Sequence, residues 1–399
     1  MAKRIYFDWA ATALPFTGAE ASPFFGNPSS THAEGRSARL ALEDARERCA
    51  ITLGVKAEQL YFTSGGTESN AIVLFSLLCS ANRLYKDRIL KTGSRSKQLD
   101  VSNPALLLYS AAEHASIREN AIALNQLGIP CNSIGIESDG RVSKEKLEKA
   151  IKKNPGIAMA AIMAVNNETG AINHLKTLTA LIRGLEKRPI HIHCDAVQAA
   201  GKIPMELKDW GIDSAAISAH KIGGQKGSGL LWLKKPINVL YRGGAQEKKI
   251  RPGTENINAA LDMALALERH LPSFYNEAAD RMKALFIALQ KTNLFIPIPA
   301  ERREEDSRFS PWILQCAFRN RAGKIIPGEV MVRALDEKGF ALSTGSACSS
   351  RDNKRPVLES MGLDKETSLG GIRISQGYCT TMEEIYALTK AIAELCKIL

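Results

Sequence analysis

The sequence predicts an α/β protein, with a large domain built on a mostly parallel sheet covered by helices on both faces, and a second, smaller α/β domain. Two observations carry this expectation. Apolar, strand-like runs alternate with helix-like segments along the first part of the chain. A long helical pattern from about Asn258 to Leu289 then leads into a region of different make-up. With 399 residues, 45% of them hydrophobic and 24% charged, the chain can fill two cores of this kind.

Taken in order, the strand-like runs are QLYFTS (Gln59–Ser64), ALLLYS (Ala105–Ser110), GIAMAAIMAV (Gly156–Val165), IHIHCDAV (Ile190–Val197) and AAISAH (Ala215–His220). Beyond the long helix, WILQCAF (Trp312–Phe318), GEVMVRALDEKG (Gly328–Gly339), FALSTGSACSS (Phe340–Ser350) and GIRISQG (Gly371–Gly377) read as alternating elements of the smaller domain. A last helix starts at about Thr381. There is no internal repeat and no low-complexity segment.

Charge and cysteine usage exclude several classes. The net charge of +11 comes from scattered basic residues, and the densest cluster, Lys86–Lys97, reads as a solvated loop between helix and strand, so nucleic acid is not the expected partner. The opening MAKRIYFDWAATALP lacks the apolar run of roughly 7–15 residues of a secretory signal. Nothing later approaches the roughly 18 consecutive apolar residues of a membrane span, and a cytoplasmic protein is expected. The eight cysteines, at 49, 79, 131, 194, 316, 348, 379 and 396, form no CxxC pair and no zinc spacing; most are expected to be buried thiols.

Three groups of polar residues sit where strands end, the place where open α/β sheets put ligand-binding residues. TSGGTESN (Thr63–Asn70) runs from a strand into a helix, and its glycines would let backbone N–H groups approach a phosphate; an ordinary helix start capped by Thr67 and Glu68 reads the same way. HCDAVQAAG (His193–Gly201) places Asp195 after an apolar strand, where a buried carboxylate needs either a cationic partner or a helix to cap. A metal is not expected there, because the neighbouring His193 and Cys194 point to opposite faces of a strand. SAAISAHKIGG (Ser214–Gly224) ends a small-residue strand with Ser218, His220 and Lys221, leaving open whether Lys221 is a surface charge or a nucleophile. A phosphate cradle, an acid for a ring nitrogen and a lysine after a strand are together what pyridoxal phosphate requires.

With YFDWAAT, FGNPSSTH, TSGGTES, the Glu113-His114 pair, VNNETG, HCDAVQAAGKIP, SAHKIGGQKGSG, RPGTEN, STGSACSS and GIRISQG following one another in order, the chain resembles the class V aminotransferase-fold enzymes, and within them the cysteine desulfurases of the NifS/IscS kind, over nearly its whole length. The resemblance implies the aspartate aminotransferase-like fold (fold type I), with residues 13–258 as the cofactor domain and 1–12 plus 259–399 as the small domain. It implies pyridoxal 5'-phosphate held by Lys221 as a Schiff base, with no metal. Gly66, Thr67, Ser218 and His220 would cradle the phosphate, and Thr254 would reach the phosphate of a neighbouring subunit, which implies a homodimer. His114 would stack on the ring and handle a substrate proton, Asp195 would keep the ring nitrogen protonated, and Gln198 would bond the phenolic oxygen. Asn167, beside the cofactor, and Arg373 would hold the substrate carboxylate, with Asn27 assisting.

Cys348 separates a desulfurase from its relatives on this reading. Its setting, Leu342–Pro356, is rich in Ser and Gly with no apolar pattern to bury a thiol, so an exposed loop is expected. L-cysteine would displace Lys221, Lys221 would take the Cα proton, and Cys348 would attack the substrate sulfur, giving alanine and a persulfide for a sulfur-acceptor protein. A selenocysteine lyase, a transaminase or a kynureninase-like hydrolase shares the fold, and the last two need no thiol on such a loop. A non-catalytic binding protein of this fold has no use for Lys221, Asp195 and Cys348 together. Relative to the family the chain is short between AAT and FGNP, is lengthened around Lys86–Pro104, and stops after the last helix without the tail many members use to dock a scaffold.

Overall fold

The computed structural model describes residues 5–10, 24, 26–92, 106–154, 156–185, 189–269, 274–345 and 354–399. The chain opens with β1 (Ile5–Tyr6) and α1 (Ala33–Leu53), and then builds the large sheet. Its strands are β2 (Leu60–Thr63), β3 (Leu106–Ser110), β4 (Cys131–Ile134), β5 (Ile157–Ala161), β6 (His191–Asp195), β7 (Ser214–Ser218) and β8 (Gly229–Leu233). They lie in the order β2-β8-β7-β6-β5-β3-β4, and β8 alone runs antiparallel to its neighbours.

Side chains on successive strand residues point to opposite faces, and two cores follow from that alternation. Leu60, Phe62, Leu106, Leu108, Ile192, Ile217, Leu230 and Trp232 face one core with Leu42 and Ala45 of α1 and Leu178 and Ile182 of α5 (Leu175–Leu185). Tyr61, Leu107, Met159, Leu231 and Leu233 face the other, against Val73, Leu74 and Leu77 of α2 (Gly66–Thr92) and Ile117 and Leu124 of α3 (Ala115–Gln126). With both faces covered, the central strands carry almost no exposed residue, which is why they read as continuous apolar runs.

The long helical pattern is two helices, α6 (Ile257–Arg269) and α7 (Tyr275–Gln290), and the sequence carries Pro272 between them, a residue that interrupts a helix. Met263, Ala264 and Leu267 of α6 join the first core of the large sheet, whereas Met282, Leu285, Phe286 and Leu289 of α7 join a separate cluster with Leu314, Cys316, Phe318, Ile372 and Ile374. That cluster belongs to an antiparallel sheet ordered β12 (Ile372–Ser375), β10 (Ile313–Phe318), β9 (Phe295–Ile298). It is covered by α8 (Gly328–Glu337) and α11 (Met382–Ile398). β1 pairs in parallel with β11 (Phe340–Ala341) in a sheet of two strands, and a bridge from Asp8 to Ser375 of β12 ties the first residues of the chain to the antiparallel sheet.

Two expectations need correction. Lys86–Thr92 is the end of α2 and not a loop, since six of the ten residues of RLYKDRILKT are good helix formers and none is Gly or Pro; the rest of the basic cluster lies outside the described residues. Of the cysteines other than Cys348, four are buried, Cys79 and Cys131 are half-buried, and Cys379 is exposed in the turn between β12 and α11. Among the described residues no helix is long and apolar enough to cross a membrane.

Candidate active site

The site lies where the parallel strands of the large sheet end. A cavity of about 310 Å³ is lined by Gly66, Thr67, His114, Asn167, Asp195, Gln198, Ser218, His220, Lys221 and Arg373, among others. These residues are scattered over more than three hundred positions of sequence, and the fold gathers them. Gly66, Thr67, Ser218 and His220 also line an adjoining cleft of about 460 Å³ with Lys226 and Gly227.

At the cleft end, α2 begins at Gly66, so its first N–H groups have no partner within the helix and face the shared wall. A Cβ at position 66 would lie 2.5 Å from Val197 Cγ2, so only glycine allows this approach. His220 is pushed down to about 4 by burial and then by Lys221, Lys202 and Lys226, which leaves it neutral among cations, an end of the cavity suited to an anion.

At the other end, Asp195 is buried, and its carboxylate accepts from Asn70 Nδ2 (2.8 Å) and the Val197 backbone N–H (3.0 Å). His114 caps α3: its Nδ1 accepts the Ser116 N–H at 3.1 Å, and burial lowers its pKa. Helix cap and cavity wall are therefore one and the same residue. Beside it Glu113 is fully buried, and burial and then Asp195 push its pKa well above the usual carboxylate value; its Oε1 accepts the Met163 N–H.

Lys221 follows β7 in a single helical turn, and its Nζ donates to the Ala10 carbonyl at 2.9 Å. The same carbonyl accepts Gln198 Nε2 at 3.0 Å, and Gln198 Oε1 accepts Lys202 Nζ at 2.6 Å. Arg373 on β12 reaches in from the small domain. Its Nη1 donates to the carbonyls of Asn167 and Gly345, both at 2.9 Å, and its Nη2 donates to Asp8 Oδ1 at 2.8 Å.

Three expected site residues are not in this wall. Asn27 is exposed, its Oδ1 taking the Ser29 N–H, and Thr254 is exposed; neither lines the cavity. Cys348 lies outside the described residues, but Gly345, the last described residue before it, lines the cavity. Asn70, Lys202, Asp8 and the Ala10 carbonyl were not anticipated. All four lie inside quoted motifs, Asn70 in TSGGTESN, Asp8 and Ala10 in YFDWAAT and Lys202 in HCDAVQAAGKIP, but none was singled out for a role there.

The donor set fits pyridoxal phosphate: helix N–H groups, a serine and a neutral histidine for the phosphate, a buried carboxylate for the ring nitrogen, a glutamine donor, and a lysine amine between them. Fold and cavity thus define a pyridoxal-phosphate enzyme with the class V aminotransferase fold. The chain belongs to the family described as aminotransferase class-V, whose profile matches residues 5–388. It is 33% identical to the cysteine desulfurase IscS of Dictyoglomus turgidum over 96% of this chain and 92% of that one. It is 31% identical to a NifS/IcsS protein homolog of Lactobacillus delbrueckii subsp. bulgaricus, over 98% and 97% of the two chains. A solved structure described as a NifS-like protein superposes with a TM-score of 0.81 at 30% identity, covering 100% of both chains.

Proposed function

We infer that this chain is a pyridoxal-phosphate-dependent cysteine desulfurase that converts L-cysteine to L-alanine and carries the released sulfur as a persulfide on Cys348. The observation that carries the reading is the meeting of Lys221, Asp195, His114, Gln198 and Arg373 in one cavity, with Gly345, three residues before Cys348, in its wall. When bound, pyridoxal phosphate supplies an electron sink for the carbanion at the substrate Cα.

The chain's own residues do the rest. Lys221 Nζ would hold the cofactor, and its amine, when free, would remove the Cα proton of L-cysteine. Asp195 would keep the ring nitrogen protonated, Gln198 Nε2 would donate to the phenolic oxygen, and the α2 N-terminus with Ser218 and His220 would hold the phosphate. Arg373 and Asn167 orient the substrate carboxylate. The Cys348 thiolate attacks the substrate sulfur: an S–S bond forms, the C–S bond breaks, and its electron pair returns to the carbon skeleton, which takes up protons to become alanine. Atoms and electrons balance with no further reagent.

Thr254, exposed and away from this chain's own cavity, supports the homodimer in which it serves the neighbouring subunit's phosphate. We further propose a scaffold or sulfur-carrier protein as acceptor, for iron–sulfur cluster assembly or tRNA thiolation, in the cytoplasm; the IscS names of the relatives support the iron–sulfur route.

The test is incubation of the pyridoxal-phosphate-loaded protein with L-cysteine, followed by alanine determination and mass spectrometry of the Cys348 peptide. The wild type should form alanine and gain one sulfur on Cys348, while Cys348→Ser should keep the cofactor's visible band and release no sulfide. Added sulfur on Cys379 or Cys194 instead, or full desulfuration by the serine variant, would overturn the assignment.

A further inference from the structure

Behind the cofactor-facing side of Asp195 lies a chain of buried polar groups whose proton positions can be worked out atom by atom. Asn70 on α2 is fully buried. Its Nδ2 lies 2.8 Å from Asp195 Oδ2 and 2.8 Å from Ser116 Oγ, and its Oδ1 lies 2.8 Å from His193 Nε2. His193 on β6, also fully buried, has Nδ1 2.8 Å from Ser214 Oγ on β7, and Ser214 Oγ is 2.7 Å from His191 Nε2.

An ionised carboxylate only accepts, so the Asn70 amide must turn its NH₂ toward Asp195 and its oxygen toward His193. An amide oxygen only accepts, so His193 Nε2 carries the hydrogen. Burial, and then the neighbouring His191, push His193 down to about 3, so the ring is neutral and its Nδ1 has a free lone pair. That lone pair takes the Ser214 hydroxyl hydrogen, leaving Ser214 to accept from His191 Nε2. The dipoles therefore align head to tail from β7 to Asp195.

The second amide hydrogen of Asn70 fixes the other branch. It goes to Ser116 Oγ, whose own hydrogen is then free for His114 Nδ1 at 2.9 Å, the atom that already accepts the Ser116 N–H. Two donors on Nδ1 leave neutral His114 with its proton on Nε2. Asn70 thus spends both hydrogens and its oxygen on three different groups, two of which line the cavity.

We propose that Asn70 is a positioning residue that sets the proton pattern behind the cofactor site, holding Asp195 as an oriented carboxylate and turning the Ser116 hydroxyl toward His114, with His193 and Ser214 fixing the direction of Asn70 itself. This rests on the reading of Asp195 and His114 as cofactor-facing groups. A purely structural brace between α2, α3, β6 and β7 would require the contacts but would not require His193 to carry its proton on Nε2.

The test begins with ¹⁵N-histidine spectra of the wild-type protein. His193 and His114 should both show the Nε2–H tautomer, and His193 should stay neutral across the range where an ordinary histidine titrates, around pH 6.5. In Asn70→Ala the affinity for pyridoxal 5'-phosphate, read from its visible band, should fall by about tenfold or more, as expected for a lost hydrogen bond to a charged group, while the Ser116 N–H keeps His114 in its Nε2–H tautomer. His193→Phe should weaken the same affinity in the parent, have little further effect in the Asn70→Ala background, and be largely rescued by His193→Gln, which restores a donor toward Asn70. An Nδ1–H or doubly protonated His193 in the wild type would overturn the inference, as would a His193→Phe effect undiminished by Asn70→Ala. The wild-type spectra decide the matter even where a variant does not fold. A wild type that binds no pyridoxal phosphate would instead sink the functional reading, with the tautomers still readable.

Discussion

Replacing Lys202 with methionine should make the protein more stable, although it removes a hydrogen bond beside the active site. Lys202 is 4% exposed, and its ammonium group faces Gln198 Oε1, while the charges that act on it, Lys221 and Arg373, are both cations. Burial and then these neighbours pull its pKa from 10.5 to about 7. At about 1.4 kcal/mol per pH unit, keeping this group protonated in the fold costs roughly 5 kcal/mol. Methionine keeps the packed stem and drops the charge, but it leaves Gln198 Oε1 without its donor, a loss of about 1–3 kcal/mol. The net expectation near pH 7 is a gain of about 2–4 kcal/mol. The sign of the pH dependence gives the sharper criterion. Because the folded pKa lies below the unfolded one, the unfolded chain binds more protons between about pH 7 and 10.5, and wild-type stability rises with pH across that window. The variant lacks this contribution, so its advantage should shrink by about 2 kcal/mol between roughly pH 7.5 and 9. Denaturant melts of both apoproteins at the two pH values measure it. The comparison stops near pH 9 because buried thiols such as Cys49, pushed up to about 12, begin to favour the unfolded chain above that point. An advantage that does not change with pH would refute the reasoning.

Two other perturbations follow from the geometry. Arg373→Lys cannot reproduce a fork that serves Asp8, Asn167 and Gly345 at once, so the KM for L-cysteine should rise by about 10- to 100-fold while the cofactor stays bound; an unchanged KM in steady-state assays would remove Arg373 from substrate binding. Glu247 pairs with buried Arg46 through two contacts of 2.7 Å and accepts the Phe62 N–H, all while Glu247, Lys248 and Lys249 hold left-handed backbone angles. Glu247→Gln should cost about 2–3 kcal/mol in a denaturant melt by leaving the buried Arg46 charge only its exposed partner Glu43, at 3.1 Å, and Arg46→Met in the same chain should recover much of it. A loss under about 1 kcal/mol would mean that the ion pair does not hold this turn.

The sequence carried the sheet best at β5 and β7, where near-complete burial leaves little room for polar residues on either face, whereas β8, just as buried, was not among the runs read. It was silent on β4, a short edge strand reading CNSI with two exposed positions, and on the antiparallel direction of β8, which depends on how the chain returns and not on its composition. At the site, Gly66, Asp195 and Lys221 were legible because each sits at the end of an apolar strand. Asn70 and Lys202 were not: a polar residue in the first turns of a helix or after a glycine looks like surface, and only the packing of other elements over it makes it buried. The pairing of Asp8 with Arg373, 365 positions apart, leaves no local pattern at all.

The Ala10 carbonyl is a working part of the site that no substitution can remove. It accepts both Lys221 Nζ and Gln198 Nε2, and its place is set by backbone pairing: Phe7 N–H to Ala341 O at 2.9 Å, Ser375 N–H to Phe7 O at 2.9 Å, and Ala10 N–H to Ser375 Oγ at 2.9 Å. Side-chain scanning would score position 10 by the volume it tolerates and miss the chemistry entirely. Chain length is the sensitive variable. Deleting or inserting one residue between Phe7 and Ala10 would slide the strand by a step that reverses which way each group faces, and would silence Lys221 as surely as a change at position 221.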